Sequence, residues 1–329
     1  MQGGQWNGRR RHTRFRHFRR ERIVLLVVSA ALIVFGLVKL IGYGADLAAS
    51  RQTAAVLREA YREQTEALAA ETPVPAPTLT ASVAPSPTAK QARVVQTAAV
   101  PTLKPVQRLV PAAYPNNPGL QVNSRFRMLR QQNKDIAGWL TISGLLDEAV
   151  VQRDEVFYMD HDALGKKNVN GAIFLDSGIS LNKRPYTLIL YGHNMKTGAM
   201  FGCLRNYENT SFYHKNPFIT FDTKYEEGRY VIFAAGSIRT EPPYSRSNYL
   251  DFFTLTSDRV NERETALKVL KTASVHTCTV DVQLEDQLLL LITCVDNDAE
   301  RRVVAARRVR DGENEQELKK QVERSRKRY

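Results

Sequence analysis

The 329-residue sequence predicts a mainly β protein: a closed β-barrel with peripheral helices, preceded by one transmembrane helix and a Pro-rich linker. Three observations carry that expectation. From about residue 139 the chain breaks into short, β-branched apolar runs bounded by Gly, Asn, Asp or Pro. One longer helix-forming stretch, 258–271, separates two of these runs, and many short strands with inserted helices favour closure into a barrel. Upstream, residues 23–38 carry no charge, and ten of the fourteen prolines fall between residues 73 and 118.

The elements follow in order. Residues 1–22 hold eight Arg against a single acid, Glu21. Residues 23–43 form an apolar span interrupted only by Lys39, whose charge can snorkel, and the length suffices to cross a bilayer. The run is longer than the apolar core of a cleaved signal peptide, which favours a retained anchor. Arg-rich flanks stay cytoplasmic, so residues 1–22 read as a cytoplasmic tail and the rest of the chain as extracellular. Residues 44–70 contain helix formers with a thin apolar stripe of Leu57, Tyr61 and Leu68, which predicts a juxtamembrane helix acting as a stalk. Residues 71–118 read as an extended Pro/Ala/Thr-rich linker. A globular domain occupies 119–312, with a short helix over 124–133. Its apolar runs lie at 139–142, 149–151, 172–175, 186–191, 218–221, 230–235, 274–280, 288–294 and 303–309. The charged tail, 313–329, offers only Leu318 and Val322 to a weak helix and is expected to stay solvated.

Charge excludes one class of function. The net charge is +13 and the pI 9.7, values that raise nucleic-acid binding. The excess sits at the two ends, while residues 23–300 carry 28 basic and 28 acidic side chains. A phosphate-binding body is therefore not expected, and no nucleic-acid partner. The three cysteines, Cys203, Cys278 and Cys294, cannot all pair, so at least one thiol is free within the chain. There is no CxxC, HExxH, Walker loop or dinucleotide fingerprint, and Asp160-His161-Asp162 resembles a metal cluster only superficially.

Chemistry concentrates at strand ends. The run 186–191 leads directly into Gly192-His193-Asn194, and the run 288–293 ends in Cys294. A short turn then leads to Arg301 and Arg302 at the head of the next strand. A thiolate can attack a carbonyl carbon, an imidazolium can protonate the departing amine, and a guanidinium can bind the developing oxyanion. At ordinary acidities only about 1% of sites would hold the thiolate–imidazolium pair at once. The competing readings are ordinary ones: a core cysteine at 294, a solvated strand start at 301–302, and His276 as a core or surface residue on an alternating strand.

These residues occur in motifs that resemble the class B sortases, membrane-anchored cysteine transpeptidases of Gram-positive bacteria. NKDIAGWLTI resembles the family's opening strand, and NGAIFLD its Gly-Ser-Ile-Phe-Leu-Asp segment. LILYGHNMKTGAMFGCLRNY matches its Tyr-Gly-His-Asn-Met stretch, LLLLITC its Thr-Leu-Ser-Thr-Cys strand, and RRVVAARRVRDGE its arginine strand. The resemblance runs from about residue 133 to 312 and implies an eight-stranded barrel with an added N-terminal helix and a helix before the penultimate strand. It implies His193 as the family histidine, Cys294 as nucleophile and Arg301 as the arginine, with Arg302 adjacent and only one of the two able to face the site. Leu290 and Ile292 depart from the family's Thr and Ser. The implied activity is cleavage of a C-terminal sorting signal on secreted proteins through a Cys294 thioester, with transfer to a cell-wall peptide amine or a pilin lysine and no metal or organic cofactor. A cysteine hydrolase using water, and a membrane-anchored binding or sensor domain, are the alternatives. The loop 238–253 is expected to shape substrate choice.

Overall fold

A computed structural model describes residues 11–71, 107–109, 113–154, 156–239, 249–294 and 300–328, with the backbone alone for residues 11–24, 71 and 294. Most of the expected linker and of the loop 238–253, and the start of the basic tail, therefore lie outside the described residues. The chain forms two units, Met1–Gln52 and Thr53–Tyr329.

Helix α1 (Arg11–Glu71) begins in the first unit. There the side chains of Leu25, Leu32, Phe35 and Leu40 are more than half exposed. A window of mean hydropathy 2.5 makes this helix long and apolar enough to cross a membrane by length and composition.

The second unit opens with the last turns of α1. Helix α2 (Ser124–Gln132) follows, its first turn capped by the Asn123 side chain accepting from the Arg125 N–H. Then come β1 (Ile136–Ile142), β2 (Leu146–Val151), β3 (Ile173–Leu175), β4 (Thr187–Tyr191), α3 (Thr210–Lys215), β5 (Phe218–Thr223), β6 (Arg229–Arg239), α4 (Phe252–Thr256), α5 (Val260–Ala273), β7 (Leu288–Cys294), β8 (Glu300–Arg308) and α6 (Glu315–Glu323). The eight strands close into a barrel in the order β1-β2-β3-β4-β7-β8-β6-β5. β4 and β7 run parallel, while β8 is antiparallel to both β7 and β6. The ends of β4 and β7 and the start of β8 thus share one rim. The near-continuous apolar sequences of β4 and β7 fit strands covered on both faces, and Leu288 to Leu291 are all buried.

The main core is built from every strand together with the 3-10 helix Phe201–Glu208 and α5. A second apolar cluster joins Trp139, Val151 and Tyr158 to Phe126 and Leu129 of α2 and to Leu57 of α1. Leu57 and Tyr61 of the stripe that sequence reading assigned to a stalk are therefore packed on the barrel. Tyr61 stacks on Trp139 and donates to Asp222 at 2.7 Å, and Arg58 pairs with Asp147 at 2.9 Å.

Two expectations are corrected. Residues 274–280 alternate like a strand but form none. After α5 the chain crosses β6 so closely that a Cβ at Gly236 would lie 2.0 Å from the Ala273 carbonyl oxygen. Val275 N–H donates to Ala235 O of β6, and the backbone then turns to the C-terminal segment, with Thr277 N–H donating to Arg326 O and Arg328 N–H to Val275 O. That pairing removes the alternation's usual cause, a neighbouring strand along its length. The tail is also not merely solvated. α6 is capped by Asn314 and buries Leu318 and Val322, four residues apart on one helical face. The fully buried Arg307 holds it through Glu313 at 2.6 Å, and Arg310 bridges Asp281 at 2.9 Å and Asp286 at 2.7 Å.

Candidate active site

The barrel rim builds the site by register. Tyr191 of β4 is the partner of Ile292 of β7, and Ile292 is the partner of Val303 of β8. The parallel ladder continues one step further, with Gly192 N–H donating to Ile292 O at 3.4 Å. The next rank is therefore position 193, then Cys294 and its β8 partner Arg301. At about 4.8 Å between neighbouring strands, the three positions span roughly 10 Å of rim. Positions 292 and 294 share a face because strand side chains alternate with period two.

His193 is held from behind. Its Nε2 lies 2.6 Å from the Met159 carbonyl oxygen. A carbonyl only accepts, so Nε2 carries the hydrogen and Nδ1 is the nitrogen left for exchange. Met159 ends the 3-10 helix Phe157–Met159, against which Gly171 is wedged at φ +62°. A Cβ there would lie 2.6 Å from Tyr158 O, 2.8 Å from Met159 O and 3.0 Å from His193 Cδ2. This explains the glycine of NGAIFLD: the backbone must pass where no side chain fits. The loop after His193 folds back, with Phe201 N–H donating to His193 O at 3.0 Å and Arg205 donating to the carbonyls of Met195 and Lys196, each at 2.9 Å. Gly192 lies under Phe201, where a Cβ would be 2.9 Å from the ring.

A cavity of about 590 Å³ opens over this rim, with His193, Arg301, Ile292, Tyr191, Phe174 and Phe252 in its wall. Arg301 and Arg302 separate cleanly. Arg301 faces this cavity, whereas Arg302 binds Glu208 at 2.8 Å and belongs to the other face of β8. Two other cavities, of about 460 and 530 Å³, contain neither His193 nor Arg301.

The other candidates fall into structural places. Cys203 and Cys278 are free thiols, and burial pushes the first up to about 11 and raises the second. Neither is poised as a thiolate. His276 is buried with Nε2 2.6 Å from Tyr207 O, and its pKa is lowered by desolvation, so it is a core histidine. His161 stacks on Phe157 and pairs with Asp160. Among the described residues no group of three His, Cys, Asp or Glu could hold a metal ion. Sequence reading missed the Met159 carbonyl and the aromatic wall. The Met159 interaction is to a backbone group, which leaves no side-chain signature; Tyr191 was visible as the residue two before His193.

No family model matches the sequence. The chain is 30% identical over 192 residues to Sortase B of Staphylococcus aureus (strain NCTC 8325 / PS 47), covering 57% of this chain and 75% of that one. It is 30% identical over 176 residues to Sortase B of Listeria monocytogenes serovar 1/2a, covering 53% and 68%. The 2.0 Å crystal structure of Staphylococcus aureus Sortase B superposes with a TM-score of 0.51 at 31% identity, over 58% of this chain and 89% of that one. A Staphylococcus aureus sortase B–substrate complex matches at TM-score 0.51 and 30% identity, covering 58% and 88%. A Sortase B complexed with Gly3 matches at TM-score 0.51 and 31% identity, covering 59% and 89%.

Proposed function

The chain belongs to the Sortase B family of cysteine transpeptidases, and we propose that Cys294 is its nucleophile, His193 its proton carrier and Arg301 its oxyanion partner. The observation that carries this is the pairing of Cys294 with Arg301 across β7 and β8, with His193 two residues beyond the end of β4, the strand parallel to β7. The Cys294 thiolate attacks the scissile carbonyl carbon, forming a C–S bond and a tetrahedral oxyanion beside the Arg301 guanidinium. On collapse the C–N bond breaks, and the imidazolium gives its Nδ1 proton to the departing amine while Nε2–H stays on the Met159 carbonyl. An incoming amine passes its proton to neutral Nδ1 and attacks the thioester, which restores the thiolate and the imidazolium. No cofactor enters any step.

The substrate is a C-terminal sorting signal of a secreted protein, and the acceptor is an amine of a cell-wall peptide or a pilin lysine. Relatives solved with a substrate and with Gly3 support both classes of ligand. The apolar helix within residues 23–43 serves as the membrane anchor, with the Arg-rich residues 1–22 cytoplasmic and the barrel outside. The test is transfer. The full chain in detergent, given a pool of sorting-signal peptides and triglycine, yields peptide–triglycine adducts. Cys294→Ala yielding the same adducts would refute the assignment, and cleavage without adducts would make water the acceptor.

A further inference from the structure

We infer that the Pro-rich residues 72–106 do not tether the barrel to its membrane anchor: the tether is residues 44–52, and a break in the Pro-rich stretch leaves the barrel attached. The second unit begins at Thr53, inside α1, so residues 53–71 belong to the same unit as the barrel. Thr53, Leu57 and Tyr61 follow at intervals of four and share one face of the helix. All three are engaged. Thr53 Oγ1 donates to the buried Asp162 carboxylate at 2.8 Å, Leu57 is 1% exposed beside Phe126, Leu129 and Trp139, and Tyr61 stacks on Trp139 and donates to Asp222. Arg58 adds a donation from Nη2 to the Asp147 carbonyl oxygen at 2.9 Å. The partners come from α2, β1, β2, β5 and the loop before β3, so the helix is fastened at several places and not at one.

The far end of the Pro-rich stretch is fastened to the same unit. Leu109 N–H donates to Asp258 O at 2.9 Å and Val260 N–H donates to Gln107 O at 3.0 Å, a short antiparallel pairing at the start of α5. Arg108 pairs with Asp258 at 3.3 Å. The chain thus leaves the unit after α1 and is back on it at residue 107. A segment whose two ends are held by one body cannot set how far that body strays from a third point. Only the residues between the expected span, 23–43, and Thr53 can do so, and there are nine of them against 35 in 72–106. An isolated helix as short as 53–71 is marginal in water, so its docked face, not its propensity, accounts for its order.

The test cuts the stretch. The full chain in detergent carries an affinity tag at its N-terminus and the recognition sequence of a site-specific protease inserted between Lys90 and Gln91. After complete cleavage on the resin, the fragment containing the barrel should stay bound through the fragment containing α1, and the two should elute together in equal amount. Loss of the barrel fragment to the wash overturns the inference, and this arm needs no further variant. Leu57→Asp combined with Tyr61→Ala removes the docked face and leaves the covalent chain whole. Uncut, that protein should be retained; once cut, its barrel fragment should be lost to the wash. Retention of a folded barrel fragment, one that melts cooperatively in urea, from the cut double variant overturns the assignment of the hold to this face. Both arms are read without substrate, so a chain that forms no acyl-enzyme would refute the transpeptidase reading and leave this inference standing.

Discussion

His193 donates from Nε2 to the carbonyl oxygen of Met159 at 2.6 Å, and Gly171, lacking a Cβ, leaves the space in which that carbonyl and the imidazole sit. The imidazole is thereby oriented by backbone rather than by a carboxylate. Gly171→Ala forces a Cβ into contact with Tyr158 O, Met159 O and the imidazole, at a positive φ that alanine tolerates poorly. The expected result is a fall in kcat of about 10²-fold, because a displacement near 1 Å is enough. A folded Gly171→Ala enzyme with unaltered kcat would separate Met159 from the function of His193.

Arg301 and Arg302 are neighbours with different fates. Arg301→Ala should lower kcat by about 10²–10³-fold, the usual cost of removing an oxyanion donor. Arg302→Ala breaks a part-buried pair with Glu208 and should lower thermal stability while leaving kcat within about tenfold. Steady-state rates on one peptide substrate distinguish the two.

The last turns of α1 are part of the barrel's stability. Tyr61 lies 4.4 Å from Trp139 with the rings within 5° of parallel, and its hydroxyl donates to Asp222. Tyr61→Ala should cost about 2–4 kcal/mol of unfolding free energy in urea, combining lost burial and lost stacking. A change under about 0.5 kcal/mol would show that the contact carries no stability.

The same interface gives a pH dependence. Burial of Glu148 pushes its pKa from 4.5 up to about 7, with Arg58 opposing and Asp147 reinforcing the rise. The folded protein then holds a proton that the unfolded chain has already lost between about pH 4.5 and 7, so stability falls as pH rises through that window. Glu148→Gln removes the titration. Its gain in Tm over the unaltered protein should therefore grow from pH 5 to pH 8, and a gap that stays constant would show that Glu148 does not titrate there.

Local pattern made much of this legible. The strand sequences, the Gly-His-Asn turn and the Cys–turn–Arg junction are short-range features, and register alone brings them to one rim. What was hidden depended on tertiary partners. Two apolar residues, Leu57 and Tyr61, are too thin a stripe to announce a docked helix, and Leu318 and Val322 gave the same weak signal in the tail. The burial of Arg307 depends on Glu313, a partner supplied by the turn that follows β8. Residues 274–280 alternate without being a strand because they touch the sheet at Val275 N–H to Ala235 O and then pair with residues 326–328. Arg301 and Arg302 could be told apart only when Glu208 was seen to occupy one of them.

The central claim is that Cys294 carries the acyl group. The most direct measurement is the intact mass of the full chain, acid-quenched after mixing with sorting-signal peptides in the absence of an added amine. The account predicts one added acyl mass, mapped to Cys294, released by hydroxylamine and absent in Cys294→Ala, while Cys203→Ala and Cys278→Ala retain it. An adduct on another residue, or its persistence in Cys294→Ala, would contradict it.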